Sequence, residues 1–294
     1  MAGIKEIRHH IKSVESTLKI TNAMYLISSS SLRKARRLLN DVTPYFNKLS
    51  YTISDILHHS PEIVHPFFDQ RQNIKAEHRK IGYIVVTGDK GLAGAYNHNV
   101  LKLAEQQLND TEHSVLFVVG QMGRSWFTSK NINIDHEFMY TAQNPTISRA
   151  REMSDILLTL FLEEKLDEVW IVYTKMVNAL QLEPTLLKLL PLDRNIFPWI
   201  PRSEDCFTRT ISYIPSETIV LDHLVPDYFT GMLFGSLVES FCSEQSARMT
   251  AMDSSTKNAK DMLKNLNLRY NRARQTAITQ EITEVVGGAN PEIN

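Results

Sequence analysis

"SLVESFCSEQSARMTAMDSSTKNAKDMLKNLNLRYNRARQTAITQEITEVV", Ser236 to Val286, runs for about 50 residues without a glycine or a proline. At 1.5 Å per residue that is roughly 75 Å of continuous helix, where an ordinary globular helix has about 11–12 residues. Pro226 lies upstream and "GGANP" closes the stretch, as a helix stop should. Phe234, Val238, Phe241, Met252, Met262 and Leu266 share one stripe, and Leu268, Ile278, Ile282 and Val285 follow an offset one. An offset of this kind is what a stutter produces. Ala247, Ala251, Ser254 and Ser255 lie between the stripes and let helix backbones approach closely. So long a helix needs a partner, because an isolated amphipathic helix draws its stability from tertiary packing.

The partner stands at the other end of the chain. Apart from Gly3, no glycine or proline precedes Pro44. Ile4, Ile7, Ile11, Val14, Leu18, Thr21, Tyr25, Ser28, Leu32, Ala35, Leu39 and Val42 recur at alternating spacings of three and four, the seam of a coiled coil. The seam is aliphatic at first and turns small and polar around "ISSSSLRKA". The economical arrangement packs the two terminal helices antiparallel as a projecting rod.

Between them the pattern changes period. "IGYIVVT" (81–87), "SVLFVVG" (114–120) and "EVWIVY" (168–173) are short β-branched runs of the kind that form buried parallel strands. Helical patterns alternate with them at roughly 97–109, 121–130 and 147–165, which predicts a βαβ core with a parallel sheet. "NALQLEPTLLKLLPL" and "TRTISYIPSE" read as further strands and loops.

"VVTGDKGLAGAYNHN" (85–99) follows the first of these strands, and its glycines raise the question of a phosphate cradle. Gly88, Gly91 and Gly94 give G-x-x-G-x-x-G, which is neither the dinucleotide fingerprint nor a P-loop, and no Lys-Ser/Thr pair follows. A tight turn set by backbone geometry is the better reading. The histidines, His65 among them, form no two-His helical pair with a third ligand, and read as surface or partly buried residues. No nucleophile elbow appears. The residues therefore give no catalytic constellation, no cofactor and no metal site.

A net charge of −1 leaves no global footprint for nucleic acid. Two cysteines, Cys206 and Cys242, make no disulfide framework. No apolar run reaches the roughly 18 residues of a membrane span, and "MAGIKEIRHHIKSVE" is neither a signal nor a transit peptide. The sharpest local charge is "SLRKARR" (31–37), with Arg33, Lys34, Arg36 and Arg37, joined by Arg248, Arg272 and Arg274 on the other long helix. It reads as a solvated face, as a nucleic-acid site weakened by the neutral total, or as a surface for an acidic protein partner.

The stretch "SEQSARMTAMDSSTKNAKDMLKNLNLRYNRARQTAITQEITEVVGGA" closely resembles the C-terminal helix of the gamma subunit of F-type ATP synthase. "IKEIRHHIKSVESTLKITNAMYLISSSSLRKA" and "VVTGDKGLAGAYNHNVLK" are similar to that family's N-terminal helix and central loop, so the resemblance runs end to end. It implies a rotor shaft: residues 1–60 and 226–288 as a coiled coil, 78–215 as a Rossmann-like α/β foot and 289–294 as a tail. It implies three alpha and three beta subunits around one copy of this chain, with the epsilon subunit and the c-subunit ring at the foot. The chain itself would be non-catalytic and without a membrane span, on the cytoplasmic face of a prokaryotic plasma membrane. By position, Met24, Arg33, Arg36, Arg248, Gln275 and Thr279 are implied contacts with the alpha/beta ring, and Tyr213 and Ile214 contacts with the c ring or epsilon. Ile27–Ser31 stands where the family has V-A-A-S-K, Ala93 replaces a loop cysteine, and Ile214 takes a carboxylate position, which implies a less polar contact with the ring. The rival readings are a nucleotide-dependent enzyme on the α/β body and a non-rotary coiled-coil scaffold or adaptor carrying an α/β domain.

Overall fold

The computed structural model describes residues 2–109, 113–178, 181–199 and 213–288. Cys206, the first part of "TRTISYIPSE", residues 179–180 of "NALQLEPTLLKLLPL" and the tail 289–294 lie outside the described residues. Two very long helices, α1 (Ala2–His59) and α5 (Glu217–Gly288), enclose the rest of the chain in sequence. Both run through prolines: Pro44 lies inside α1, within the expected span 1–60, and Pro226 lies inside α5, which starts before the expected boundary at 226. Packing on either side outweighs the local penalty, since Leu49, Ile53 and Ile56 of α1 and Leu221, Val225 and Phe229 of α5 are all buried.

The chain divides into two units, one made of Met1–Ser29 with Arg248–Asn294 and the other of Ser30–Ala247. The first is a pair of helical segments. Val14, Ala259 and Leu266 form its small core, flanked by Ile7, Ile11, Leu18 and Leu263. Further along, the Oγ1 atoms of Thr21 and Thr256 meet at 2.8 Å, so the segments are antiparallel. The predicted seam holds in α1 except at Tyr25, which is exposed, and in α5 Met262 of the first stripe also faces outward. Leu268, Ile278, Ile282 and Val285, the offset stripe, are exposed along with Val286.

The second unit contains the sheet. Its strands are β1 (Ile81–Val86), β2 (Ser114–Val119), β3 (Glu168–Met176) and β4 (Leu182–Leu190), in the order β2-β1-β3-β4. β1 is parallel to both β2 and β3, with Val85 opposite Val118 and Val172. β4, whose direction the sequence reading leaves open, runs antiparallel to β3, with Leu182 opposite Met176. It lies at the edge, where Pro184 interrupts no central ladder.

Helices α2 (Tyr96–Asn109), α3 (Gln121–Ser129) and α4 (Ile147–Leu162) complete the unit. The period of two divides the strand residues between two cores. Tyr83, Val85, Leu116, Val118 and Val172 pack with Val100, Leu101 and Ala104 of α2 and Phe127 of α3. Ile84, Val86, Phe117, Val119 and Ile171 pack on the other side with Met153, Leu157 and Phe161 of α4, Ile53 of α1 and Phe229 of α5. Each Val, Leu, Ile, Phe or Met side chain among them that is fully removed from water contributes roughly 1.5–3 kcal/mol.

Candidate functional site

The glycine loop answers its question through Asp89. One carboxylate oxygen accepts the backbone N–H of Gln121, the first residue of α3, at 3.0 Å. The other accepts the Thr141 hydroxyl and the backbone N–H groups of Ala142 at 3.0 Å and Gln143 at 3.2 Å. A helix N-terminus with converging backbone N–H groups is a place for an anion, and here the chain's own carboxylate fills it. Gly120 caps α3 at φ +95°, and a Cβ there would collide with the Thr87 carbonyl oxygen. Of the three loop glycines, Gly94 takes a left-handed backbone at φ +56°, a Cβ on Gly88 would meet Glu244, and Gly91 has open space. Leu92, although not glycine, is left-handed as well, at φ +63°.

The basic cluster divides around α1. Arg36 turns toward β3, its Nη2 3.2 Å from the Met176 sulfur. Lys34 and Arg37 border a cleft of about 400 Å³ that also touches Pro145 and Thr146 before α4 and Phe241 of α5. Arg33 is exposed. Burial pushes the nearby Cys242 thiol up to about 11, with Arg36 opposing and Glu239 adding to the shift, so it stays protonated.

Gln275 and Thr279 are exposed on one face of α5, in line with Arg272, Thr276 and Thr283. Met24 is half-buried on α1. Arg248 differs from these, being 7 % exposed and not without a partner. The structure thus groups Gln275 with Thr279 and sets Arg36 apart from Arg33. Tyr213 packs half-buried against the larger core. Its phenol is pushed up by burial first and by Asp55 and Glu217 after that. Ile214 is 87 % exposed.

His65 corrects the reading of the histidines as surface or partly buried, for it is 2 % exposed. Its Nδ1 accepts the Phe67 N–H at 3.4 Å, so Nε2 carries the hydrogen and donates to Asp222 Oδ1 at 3.1 Å. Burial lowers the imidazole pKa, against the opposing pull of Asp222. The Asp89 cradle and the His65–Asp222 pair both escape the sequence reading, because the donors to Asp89 lie 32 to 54 residues away and Asp222 lies 157 residues from His65, and neither leaves a periodic trace. Among the described residues no group of histidine, cysteine or carboxylate side chains is arranged to hold a metal ion, and no helix is long and apolar enough to cross a membrane.

The family model described as ATP synthase matches residues 3–291. The chain is 50% identical over 290 residues to the ATP synthase gamma chain of Ruminiclostridium cellulolyticum, covering 98% of each. It is 40% identical over 300 residues to the "ATP synthase gamma chain, sodium ion specific" of Acetobacterium woodii, again covering 98% of each. Among solved structures it is similar to a chain of the Euglena gracilis mitochondrial ATP synthase, with a TM-score of 0.63 at 13% identity, covering 98% of this chain and 94% of that one. A chain from the central stalk and c-ring of the Tetrahymena thermophila mitochondrial enzyme gives a TM-score of 0.57 at 20% identity, covering 80% of this chain and 98% of that one.

Proposed function

Since the chain belongs to the family of ATP synthase gamma chains, we propose that it turns as a shaft whose unequal faces bias the catalytic subunits around it. It is the central-stalk subunit of an F-type ATP synthase. In this reading 1–60 and 226–288 form the shaft, 78–215 the foot and 289–294 a tail. Three alpha and three beta subunits surround the shaft, and the foot meets the c ring and the epsilon subunit. The complex sits on the cytoplasmic face of a bacterial plasma membrane. Met24, Arg33, Arg36, Arg248, Gln275 and Thr279 are the contacts with the alpha/beta ring, and Tyr213 and Ile214 those with the c ring or epsilon.

The observation that carries the reading is the end of α5. Residues 278–286 are helical, yet Ile278, Ile282, Val285 and Val286 all face outward. An apolar face on a helix end calls for a surrounding surface, and a sleeve of other subunits supplies one. The polar face through Gln275 and Thr279 offers hydrogen bonds that make one rotational position differ from the next. Because coupling between sites is reciprocal, a shaft that biases nucleotide sites when driven is itself driven when those sites hydrolyse ATP. The subunit contributes no catalytic group, a view supported by Asp89 standing where a phosphate would bind. A match along residues 3–291 gives the non-rotary scaffold no support.

Native mass spectrometry of the complex extracted with this chain tests the assignment. One copy together with three each of two larger nucleotide-binding subunits is expected. A free monomer or homodimer without such a ring would overturn it.

A further inference from the structure

The two prolines inside the long helices stand at the same level. Tyr45, next to Pro44, donates its hydroxyl hydrogen to Asp227 Oδ2 at 3.1 Å, and Asp227 is next to Pro226. The ring of Phe46, the next residue of α1, occupies the space that a Cβ on Gly231, one turn past Asp227 on α5, would need. α1 and α5 therefore lose helical support side by side.

Several features weaken the ladder there. Each proline lacks an N–H, so the carbonyls of Asn40 and Asp222 lose their usual donors, and the rings press on the preceding turn. The Thr43 hydroxyl donates to the Leu39 carbonyl at 2.6 Å, and the Thr230 hydroxyl to the Pro226 carbonyl at 2.9 Å. Such back-bonding bends helices, and proline is the commonest site of a sharp bend. The same level is also pinned from outside. His65 holds Asp222 at 3.1 Å, and Arg151 of α4 lies 3.7 Å from Asp227.

We propose that Pro44 and Pro226 form one shared flexural joint, at which the α1–α5 pair yields to bending and twisting before the rest of its length, with the Phe46–Gly231 contact as the pivot. The Tyr45–Asp227 bond links the two helices there, and the pins at Asp222 and Asp227 tie α5 to its surroundings while the ladder gives. The joint is a property of residues within the Ser30–Ala247 unit. Only its use in a turning shaft rests on the functional reading above.

Hydrogen–deuterium exchange on the full chain in its isolated complex tests it. The wild type is compared with Pro44→Ala, Pro226→Ala, the double variant and Gly235→Ala, the last at a site with open space around it. In the wild type, amides at 41–48 and 223–230 should exchange about tenfold faster than those at 50–57 and 233–241. Either proline substitution alone should slow both windows, whereas Gly235→Ala should leave the 41–48 window unchanged. Uniform protection in the wild type would overturn the proposal, and needs no variant to assemble. It would also be overturned if each proline substitution slowed only its own helix, since that describes two independent kinks. Loss of the surrounding ring from the preparation would count against the functional reading and leave the wild-type exchange pattern to decide the joint.

Discussion

Thr21 Oγ1 lies 2.8 Å from Thr256 Oγ1, with both residues buried in the seam between α1 and α5. The Thr21 hydroxyl also reaches the Leu18 carbonyl at 3.1 Å. Its hydrogen goes there, so the hydrogen between the two hydroxyls comes from Thr256. The pair is therefore unequal. Thr21→Val leaves the Thr256 donor without its acceptor and should cost about 1–2 kcal/mol, while Thr256→Val should cost less and the double change less than the sum. Denaturant melts of the four forms measure the cycle.

Gly120→Ala meets two obstacles at once, a φ of +95° and the Thr87 carbonyl oxygen in the space of the new Cβ. We expect a loss of about 3 kcal/mol or more, read as a lowered unfolding midpoint. Gly91→Ala, in open space at an ordinary φ, should fall within about 1 kcal/mol of wild type.

Asp89→Ala removes a carboxylate from four donors, three of them backbone N–H groups. The expected cost is about 2–3 kcal/mol. Added phosphate or sulfate should restore part of the variant's melting temperature and leave the wild type almost unmoved. Equal responses of the two proteins would show that Asp89 does not stand in for an anion.

Glu168 is buried, and burial alone would push its carboxyl up. The Trp170 N–H at 2.8 Å, Lys188 at 3.2 Å and Arg79 reverse that, and the net shift is downward. A carboxyl with a folded-state pKa below its unfolded value stabilises the protein above the unfolded value, about 4.3, and loses that contribution as pH falls through the folded one. Glu168→Gln should therefore be less stable than wild type at pH 7, and the gap should close in acid below about pH 4. Urea titrations across that range would record it.

Ile282→Glu with Val285→Lys places charge on the outward face at the end of α5. The isolated chain should aggregate less and bind less hydrophobic dye, while assembly with its ring weakens. Light scattering and native mass spectrometry report the two effects separately.

The three central strands are legible in sequence because β-branched runs such as Ile81–Val86 are buried on both faces and need no alternation. The α1 seam is legible from Val14 to Leu39 because a period of 3.5 has few competing explanations. Pro226 misleads as a boundary, since its cost is local and the packing of Leu221, Val225 and Phe229 that outweighs it is not. β4 carries Glu183, Pro184 and Lys188, and its direction depends on β3, which its own residues do not announce. At the candidate site, the exposure of Gln275 and Thr279 follows from helical phase. The burial of Arg248 depends on contacts that no local pattern encodes.

The Asp89 carboxylate makes the α/β region self-liganded. A fold that holds a diffusing phosphate is more stable when that phosphate is abundant, by mass action. Here the anion is tethered to the chain, and its local supply never varies. The solidity of the α/β region is thereby uncoupled from the level of free phosphate around it, and stays the same whether that anion is plentiful or scarce.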